Sequence, residues 1–114
     1  MPKGDNLGDF EQLVLLALMR LGDGAYGMTV RRELEEIADR RVSLGAIYAT
    51  LDRLESKGLV VSHLGASGLE RRGRAKRFFK VEPAGVQALR TALESLDRMR
   101  NGVDGLGRRV GLAT

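Results

Sequence analysis

The chain has 114 residues, of which 43% are hydrophobic and 30% charged, with a formal net charge of +4; this suits one folded domain with a single modest core. It contains no cysteine, which excludes disulfides and thiolate metal sites and fits a cytosolic protein. The longest apolar run, 13–19, is too short to cross a membrane, and the acidic start does not resemble an export signal, so we expect a cytoplasmic protein without a membrane partner.

Two helices are predicted in the first third of the chain. The first covers about 9–21, where Asp9 and Gln12 form a capping-box pattern and the apolar residues extend around nearly every side. A Gly-Asp-Gly segment ends this helix. The second covers about 26–38, because its apolar residues repeat every three to four positions. These apolar residues are Val30, Leu34 and Ile37.

A third helix is predicted from Ser43, a favourable N-cap residue, to about Lys57, before Gly58. One side of this helix is apolar and should face the core. The opposite side has mostly short side chains, which would let the helix backbone approach another surface. That side and its flank carry Gly45, Ala46, Tyr48, Ala49 and Arg53. Taken alone, such a face is more typical of a close contact between helices.

A β-hairpin is predicted next, with strands at about 59–64 and 75–81 and a glycine-bearing loop at 65–73. We call this whole region, 59–81, the wing. Its segment 71–80 holds six of the nineteen Lys and Arg residues and no carboxylate, so the rest of the chain is slightly acidic. A local cationic patch of this kind favours a polyanionic partner, although a basic hairpin alone is usually a solvated loop or a membrane-surface patch.

A fourth helix is predicted from Pro83, with an apolar stripe that repeats every three or four residues, and the glycine-rich segment 102–114 is predicted to be a loose tail. The stripe consists of Val86, Leu89, Leu93 and Leu96. The predicted fold class is therefore mainly α with a small β-hairpin. We expect a winged helix-turn-helix unit at 1–82, followed by the fourth helix at 83–101.

The order of these elements indicates double-stranded DNA as the partner more strongly than any single element does. A helix enters the major groove when its leading face carries short side chains or groups that match base edges. Gly45, Ala46 and Ala49 meet the first condition. Ser43 and Arg53 could hydrogen-bond to DNA, and Tyr48 could place its hydroxyl on a phosphate. The wing cations could neutralise phosphates of the neighbouring groove.

Two other classes of function stay open at this stage. The wing could instead dock an acidic protein or a membrane surface, which would make the protein an interaction module. An enzyme is not expected, because His63, the single histidine, has no catalytic or metal-binding partners in the pattern. The sequence predicts no cofactor and no metal.

Three segments closely resemble the PadR family of transcriptional regulators, over residues 7 to about 99. They are LGDFEQLVLLALMRLGDGAYG, RRVSLGAIYATLDRLESKGLV and RRGRAKRFFKVEPAGVQAL. The resemblance implies a winged helix-turn-helix protein that dimerises through its first and last helices, binds a palindromic operator and usually represses transcription. It leaves a small-molecule effector open without identifying one.

The resemblance also assigns roles to residues of this chain. The recognition helix would use Ser43, Gly45, Ala46, Tyr48, Ala49 and Arg53. The wing would contact DNA through Arg71, Arg72, Arg74 and Lys76. The homodimer would form through Leu13, Leu16, Val86, Leu89, Leu93 and Leu96.

Overall fold

The computed structural model describes residues 6–65 and 76–106, in which four helices and one antiparallel hairpin follow one another. The helices are α1 (Asp9–Leu21), α2 (Gly27–Ala38), α3 (Leu44–Ser56) and α4 (Pro83–Arg100), and the strands are β1 (Val60–Leu64) and β2 (Arg77–Val81). The one-turn 3-10 helix Gly22–Gly24 joins α1 to α2. The predicted order and type of the elements are confirmed, with bounds that differ by one or two residues at the start of α2 and of both strands.

The core lies where α1, α2 and α3 pack against one another, with β2 and α4 also in contact with α1. As the apolar sequence of α1 predicts, this helix is buried against several neighbours. Its Val14 and Leu15 are inaccessible to solvent. They meet Leu34 of α2, Ile47 of α3 and Phe79 of β2 in one hydrophobic cluster.

The N-terminus of α1 is capped differently from the prediction. The N-cap residue is Gly8, and its backbone N–H donates to the Glu11 carboxylate at 2.9 Å. The predicted capping box of Asp9 and Gln12 is therefore wrong. Asp9 instead pairs with Arg40, which follows α2, at 3.1 Å.

Both strands of the hairpin contact the helical core, β1 through α3 and β2 through α1. Val60 pairs with Val81 and Leu64 with Arg77, so the strands are in register along their whole length. The Phe79 N–H donates to the Ala25 carbonyl at 2.9 Å, which joins β2 to the segment before α2.

The start of α4 lies against the start of β1. A Cβ atom on Gly85 would come within 2.3 Å of the Leu59 carbonyl oxygen, so a glycine is needed for this close approach. Further along, Leu89 enters the core, whereas the C-terminal half of α4 extends away from it with exposed apolar side chains. Those exposed side chains on the helix are Leu93, Leu96 and Met99.

No helix in the described ranges is both long and apolar enough to cross a membrane.

Candidate nucleic-acid interface

The two sides of α3 differ in the way the sequence predicts. Ile47 and Leu51 are fully buried on one side. Gly45, Ala46 and Ala49 are exposed on the other. Because these three side chains are no larger than a methyl group, the exposed side presents helix backbone at close range to whatever approaches it.

Ser43 starts this helix and is itself exposed. Its side-chain oxygen accepts a hydrogen bond from the Ala46 backbone N–H at 3.1 Å, which is the usual contact of an N-cap serine. The predicted cap is confirmed. The hydroxyl hydrogen stays free to point outward, so this residue can stabilise the helix and still donate to a base or a phosphate.

Tyr48 lies on the flank of α3 and packs toward α2. A Cβ atom on Gly27 would come within 2.3 Å of the Tyr48 hydroxyl oxygen, so this tyrosine occupies space that only a glycine leaves free. The Tyr48 ring also lies 6.5 Å from the ring of Phe79. The side chain is half-buried and contributes to the junction of α2, α3 and β2.

Arg53 is held by residues of its own chain. Its guanidinium donates to Thr50 Oγ1 at 3.1 Å and to the Glu11 carboxylate at 3.5 Å. Glu11 also accepts from Lys57 Nζ at 3.1 Å. This buried carboxylate thus joins the start of α1 to one cation in the last turn of α3 and to another at its C-cap, a contact that the sequence pattern did not reveal.

Lys76 is the one predicted wing contact that the structure describes; Arg71, Arg72 and Arg74 lie outside the described residues. Lys76 Nζ is 4.5 Å from the centre of the Tyr26 ring and 3.4 Å from its hydroxyl oxygen. The lysine is half-buried and directly precedes β2. Its charge therefore lies beside the N-terminus of α2.

Arg77 and Glu55 form a second contact that the sequence did not reveal. The guanidinium of Arg77 donates to Glu55 Oε1 at 2.6 Å and to Asp52 Oδ1 at 3.2 Å. A hydrogen bond from Ser62 lowers the pKa of Glu55; burial opposes this effect, and the bond and charge of Arg77 reinforce it. This carboxylate is ionised at neutral pH.

The residues predicted to form a dimer occupy different environments in the single chain. Leu13, Leu16 and Val86 are half-buried, and Leu89 is 3% exposed within the chain's own core. Leu93 and Leu96 are 37% and 53% exposed. A groove of about 730 Å³ runs beside α4, and its lining includes Leu7, Lys57, Ala88 and Ala92.

In the part of the chain that the structure describes, no group of three His, Cys, Asp or Glu residues is placed to hold a metal ion. His63 is exposed on β1, where its ring stacks on Phe78 at 5.9 Å.

Comparison with known proteins gives consistent results. Residues 15–91 match the Transcriptional regulator PadR-like family. The chain is 48% identical over 61 residues to the transcriptional regulator Rv3488 of Mycobacterium tuberculosis. The aligned region covers 51% of this chain and 53% of that protein. The chain thus spans about half the length of that relative, and it spans 23% of a second curated relative, from Streptomyces fradiae.

Solved structures show the same fold. A PadR family transcription regulator from Clostridium difficile R20291 superimposes with a TM-score of 0.68 at 21% identity, covering 82% of this chain and 96% of that one. Bacillus subtilis PadR, solved in complex with operator DNA, gives a TM-score of 0.64 at 20% identity, covering 75% of this chain and 46% of that one. With the winged arrangement of its helices and hairpin, this chain belongs to the PadR-like family, whose members are transcriptional regulators and not enzymes.

Proposed function

We propose that this protein is a sequence-specific DNA-binding repressor that acts as a homodimer on an inverted-repeat operator. The observation that carries the proposal is the exposed side of α3, where Gly45, Ala46 and Ala49 leave the helix backbone open to close approach. The Bacillus subtilis relative, whose structure was solved with operator DNA, supports the same partner for this fold.

In this proposal α3 enters the major groove with its N-terminus leading. Ser43 and the short side chains that follow it approach the base edges, and contacts through the Ala49 methyl group favour thymine methyls. Arg53 lies one turn further along and is exposed enough to turn toward DNA. It would then exchange its contact with Glu11 for one with a base or a phosphate.

Tyr48 has a different part in the proposal. Because its hydroxyl lies against Gly27, the ring would act mainly by fixing how α2 and α3 pack. Its hydroxyl reaches a phosphate only if the DNA backbone passes close to the start of α2.

The wing supplies the contact with the DNA backbone. Arg71, Arg72, Arg74 and Lys76 carry four positive charges over six residues. If each neutralised one phosphate, the slope of log affinity against log salt concentration would be about −3.6 per subunit. These contacts would set affinity and register, while α3 would set sequence preference.

A second copy of the chain would complete the regulator. Leu93 and Leu96 are exposed at the C-terminal half of α4, and the groove beside this helix could take apolar side chains of the partner. Leu13, Leu16 and Val86 would form the border of the interface, whereas Leu89 would support it from within. A two-fold dimer places its recognition helices about 34 Å apart, which requires an inverted repeat. Such a regulator would act in the cytoplasm, with its DNA.

The test is a titration of the purified protein against DNA from upstream of its own gene and against unrelated DNA of equal length, at near-physiological salt. We expect at least hundredfold tighter binding to the upstream DNA and protection of a compact inverted repeat. Equal, salt-sensitive binding to both DNAs would refute sequence-specific binding. If an acidic protein competed as well as DNA, the wing would instead be a docking site for acidic partners.

A further inference from the structure

We propose that Arg77 is a positioning residue that fixes the angle of the hairpin strands β1 and β2 against α3, and so determines how the wing as a whole is presented to DNA. The inference rests on the proposed DNA-binding function. It concerns a residue that the sequence groups with the DNA-contacting cations.

The guanidinium of Arg77 reaches from β2 to α3. One terminal nitrogen donates to Glu55 Oε1 at 2.6 Å, and the other donates to Asp52 Oδ1 at 3.2 Å. Asp52 and Glu55 are three residues apart and therefore lie on the same face of α3. Two carboxylates of the recognition helix thus hold one cation of the wing.

The same guanidinium also joins the two strands. Its Nε donates to Ser62 Oγ on β1 at 3.2 Å, and the Ser62 hydroxyl in turn donates to Glu55 Oε2 at 2.9 Å. The guanidinium carbon lies 4.8 Å from the centre of the Phe79 ring. All three guanidinium nitrogens are therefore engaged in one network that connects α3, β1 and β2.

This arrangement argues against a direct contact between Arg77 and phosphate. Two carboxylates already balance its charge, and releasing them would leave two negative groups close to the DNA. The planar guanidinium also fixes direction, because its donors have a rigid geometry that a lysine ammonium lacks.

Because of where Arg77 lies, a small change in the angle between the hairpin and α3 would displace the DNA contacts proposed for the wing. Arg77 is the first residue of β2, and the predicted wing contacts, 71–76, directly precede it in the sequence. A five-residue strand is about 17 Å long, so a tilt of about 10° would move its far end by about 3 Å. A shift of that size is enough to break a hydrogen bond to a phosphate.

The first experiment compares operator binding by Arg77→Met and Lys80→Met. Lys80 is a matched control, since it is exposed on the same strand and has no ion pair with any residue in 6–65 or 76–106. Both variants lose one positive charge. We expect Arg77→Met to weaken binding at least tenfold more than Lys80→Met, with protection by α3 retained and protection by the wing lost. Equal effects of the two substitutions would overturn the inference.

Two further variants separate positioning from contact. Arg77→Lys keeps the charge but loses the paired donors, so positioning predicts weakening close to that of Arg77→Met, whereas a phosphate contact predicts near wild-type binding. Glu55→Gln removes a negative charge near the DNA. Positioning predicts at least fivefold weaker binding for Glu55→Gln, and the exposed Glu36→Gln serves as its control. Binding by Glu55→Gln that equals or exceeds wild type would also overturn the inference.

The outcome for the wild-type protein distinguishes the two proposals. If the wild type does not discriminate the operator from unrelated DNA, the proposed function fails, and this inference fails with it. If the wild type discriminates and the Arg77 and Glu55 variants do so equally well, only the positioning role is refuted. Should Arg77→Met not fold, as judged by circular dichroism, Arg77→Lys and Glu55→Gln decide the question.

Discussion

Glu11 links α1 to the C-terminal end of α3, and replacing it by alanine should destabilise the protein measurably. Its carboxylate accepts a hydrogen bond from the Gly8 backbone N–H at the start of α1. It also accepts from Arg53 of α3 at 3.5 Å and from Nζ of Lys57, the C-cap residue of α3, at 3.1 Å. The residue is buried, so its bonds are only partly screened by water.

The size of the effect follows from these three contacts. Losing the cap at Gly8 costs about 1 kcal/mol, and losing a charge-assisted bond to Lys57, whose side chain is 25% exposed, costs about 1.5 kcal/mol. The Arg53 side chain is 57% exposed, so its pairing contributes at most about 0.5 kcal/mol. Glu11→Ala should therefore lower the free energy of unfolding by roughly 2–3 kcal/mol, equivalent to a fall in Tm of about 10 °C or more.

Urea and thermal denaturation followed by circular dichroism measure this loss. Glu11→Gln keeps an acceptor for the Gly8 N–H and loses the charge, so it should lose only about 1 kcal/mol. Glu36→Ala, an exposed carboxylate on α2, is the control and should lie within about 0.5 kcal/mol of wild type. If Glu11→Ala were as stable as Glu36→Ala, the proposed link between α1 and α3 would be refuted.

The same carboxylate should give a pH-dependent stability. Burial raises the pKa of Glu11, but the hydrogen bond from Gly8 and the bonds and charges of Lys57 and Arg53 outweigh burial and lower it. A lowered pKa in the folded state stabilises the protein fully above the pKa of the unfolded state, and the contribution is lost as the pH falls through the folded value. The stability difference between wild type and Glu11→Gln should therefore be constant from about pH 5 to 7 and shrink at lower pH.

Three other substitutions test the packing, the proposed DNA-binding face and the proposed dimer. Gly85→Ala would place a Cβ atom 2.3 Å from the Leu59 carbonyl oxygen and should destabilise by about 1–3 kcal/mol in thermal denaturation, whereas the nearest atom to a Cβ on Gly45 is Ser43 Oγ at 3.9 Å, so Gly45→Ala should not destabilise. Ala49→Glu, on the exposed side of α3, should leave Tm unchanged and weaken operator binding at least tenfold in a gel-shift assay; unchanged binding would exclude this side as the DNA-binding face. Leu96→Lys should convert the proposed dimer to a folded monomer in analytical ultracentrifugation, and a persistent dimer would place the interface elsewhere.

The sequence predicted the order of the elements well because each has a local signal. The repeat of apolar residues every three or four positions identified α2 and α4, and the apolar segment 13–19, followed by a Gly-Asp-Gly break, identified α1. Ser43 and Gly58 predicted the ends of α3, where the structure has a serine N-cap and a glycine with φ +79° just beyond the C-cap residue. Such signals depend on neighbouring residues only.

The capping prediction failed because two patterns overlap at the start of α1. Asp9 with Gln12 and Gly8 with Glu11 have the same spacing, and aspartate is the stronger N-cap residue by local preference. The Lys57 ammonium, 46 residues away along the chain, pairs with Glu11 and so supports the other pattern. Local sequence contains no information about this contact.

Arg53 and Arg77 show that local sequence is also insufficient to predict which basic residues of the candidate site are free to contact DNA. Both are basic residues in regions with a DNA-binding pattern, and the sequence cannot show which cations already pair with carboxylates. Arg77 pairs with residues of α3 that precede it by 22 and 25 positions. The structure therefore separates the exposed positions of α3 from a cation that holds two elements together.

Selection from a random double-stranded DNA library with the purified wild-type protein tests the central claim most directly, because it requires no knowledge of the regulated gene. The account predicts enrichment of a single inverted repeat whose half-sites are about one helical turn apart. Ala49→Glu should fail to enrich this repeat. If several rounds of selection at near-physiological salt enriched no common sequence with the wild type, sequence-specific recognition through α3 would be contradicted.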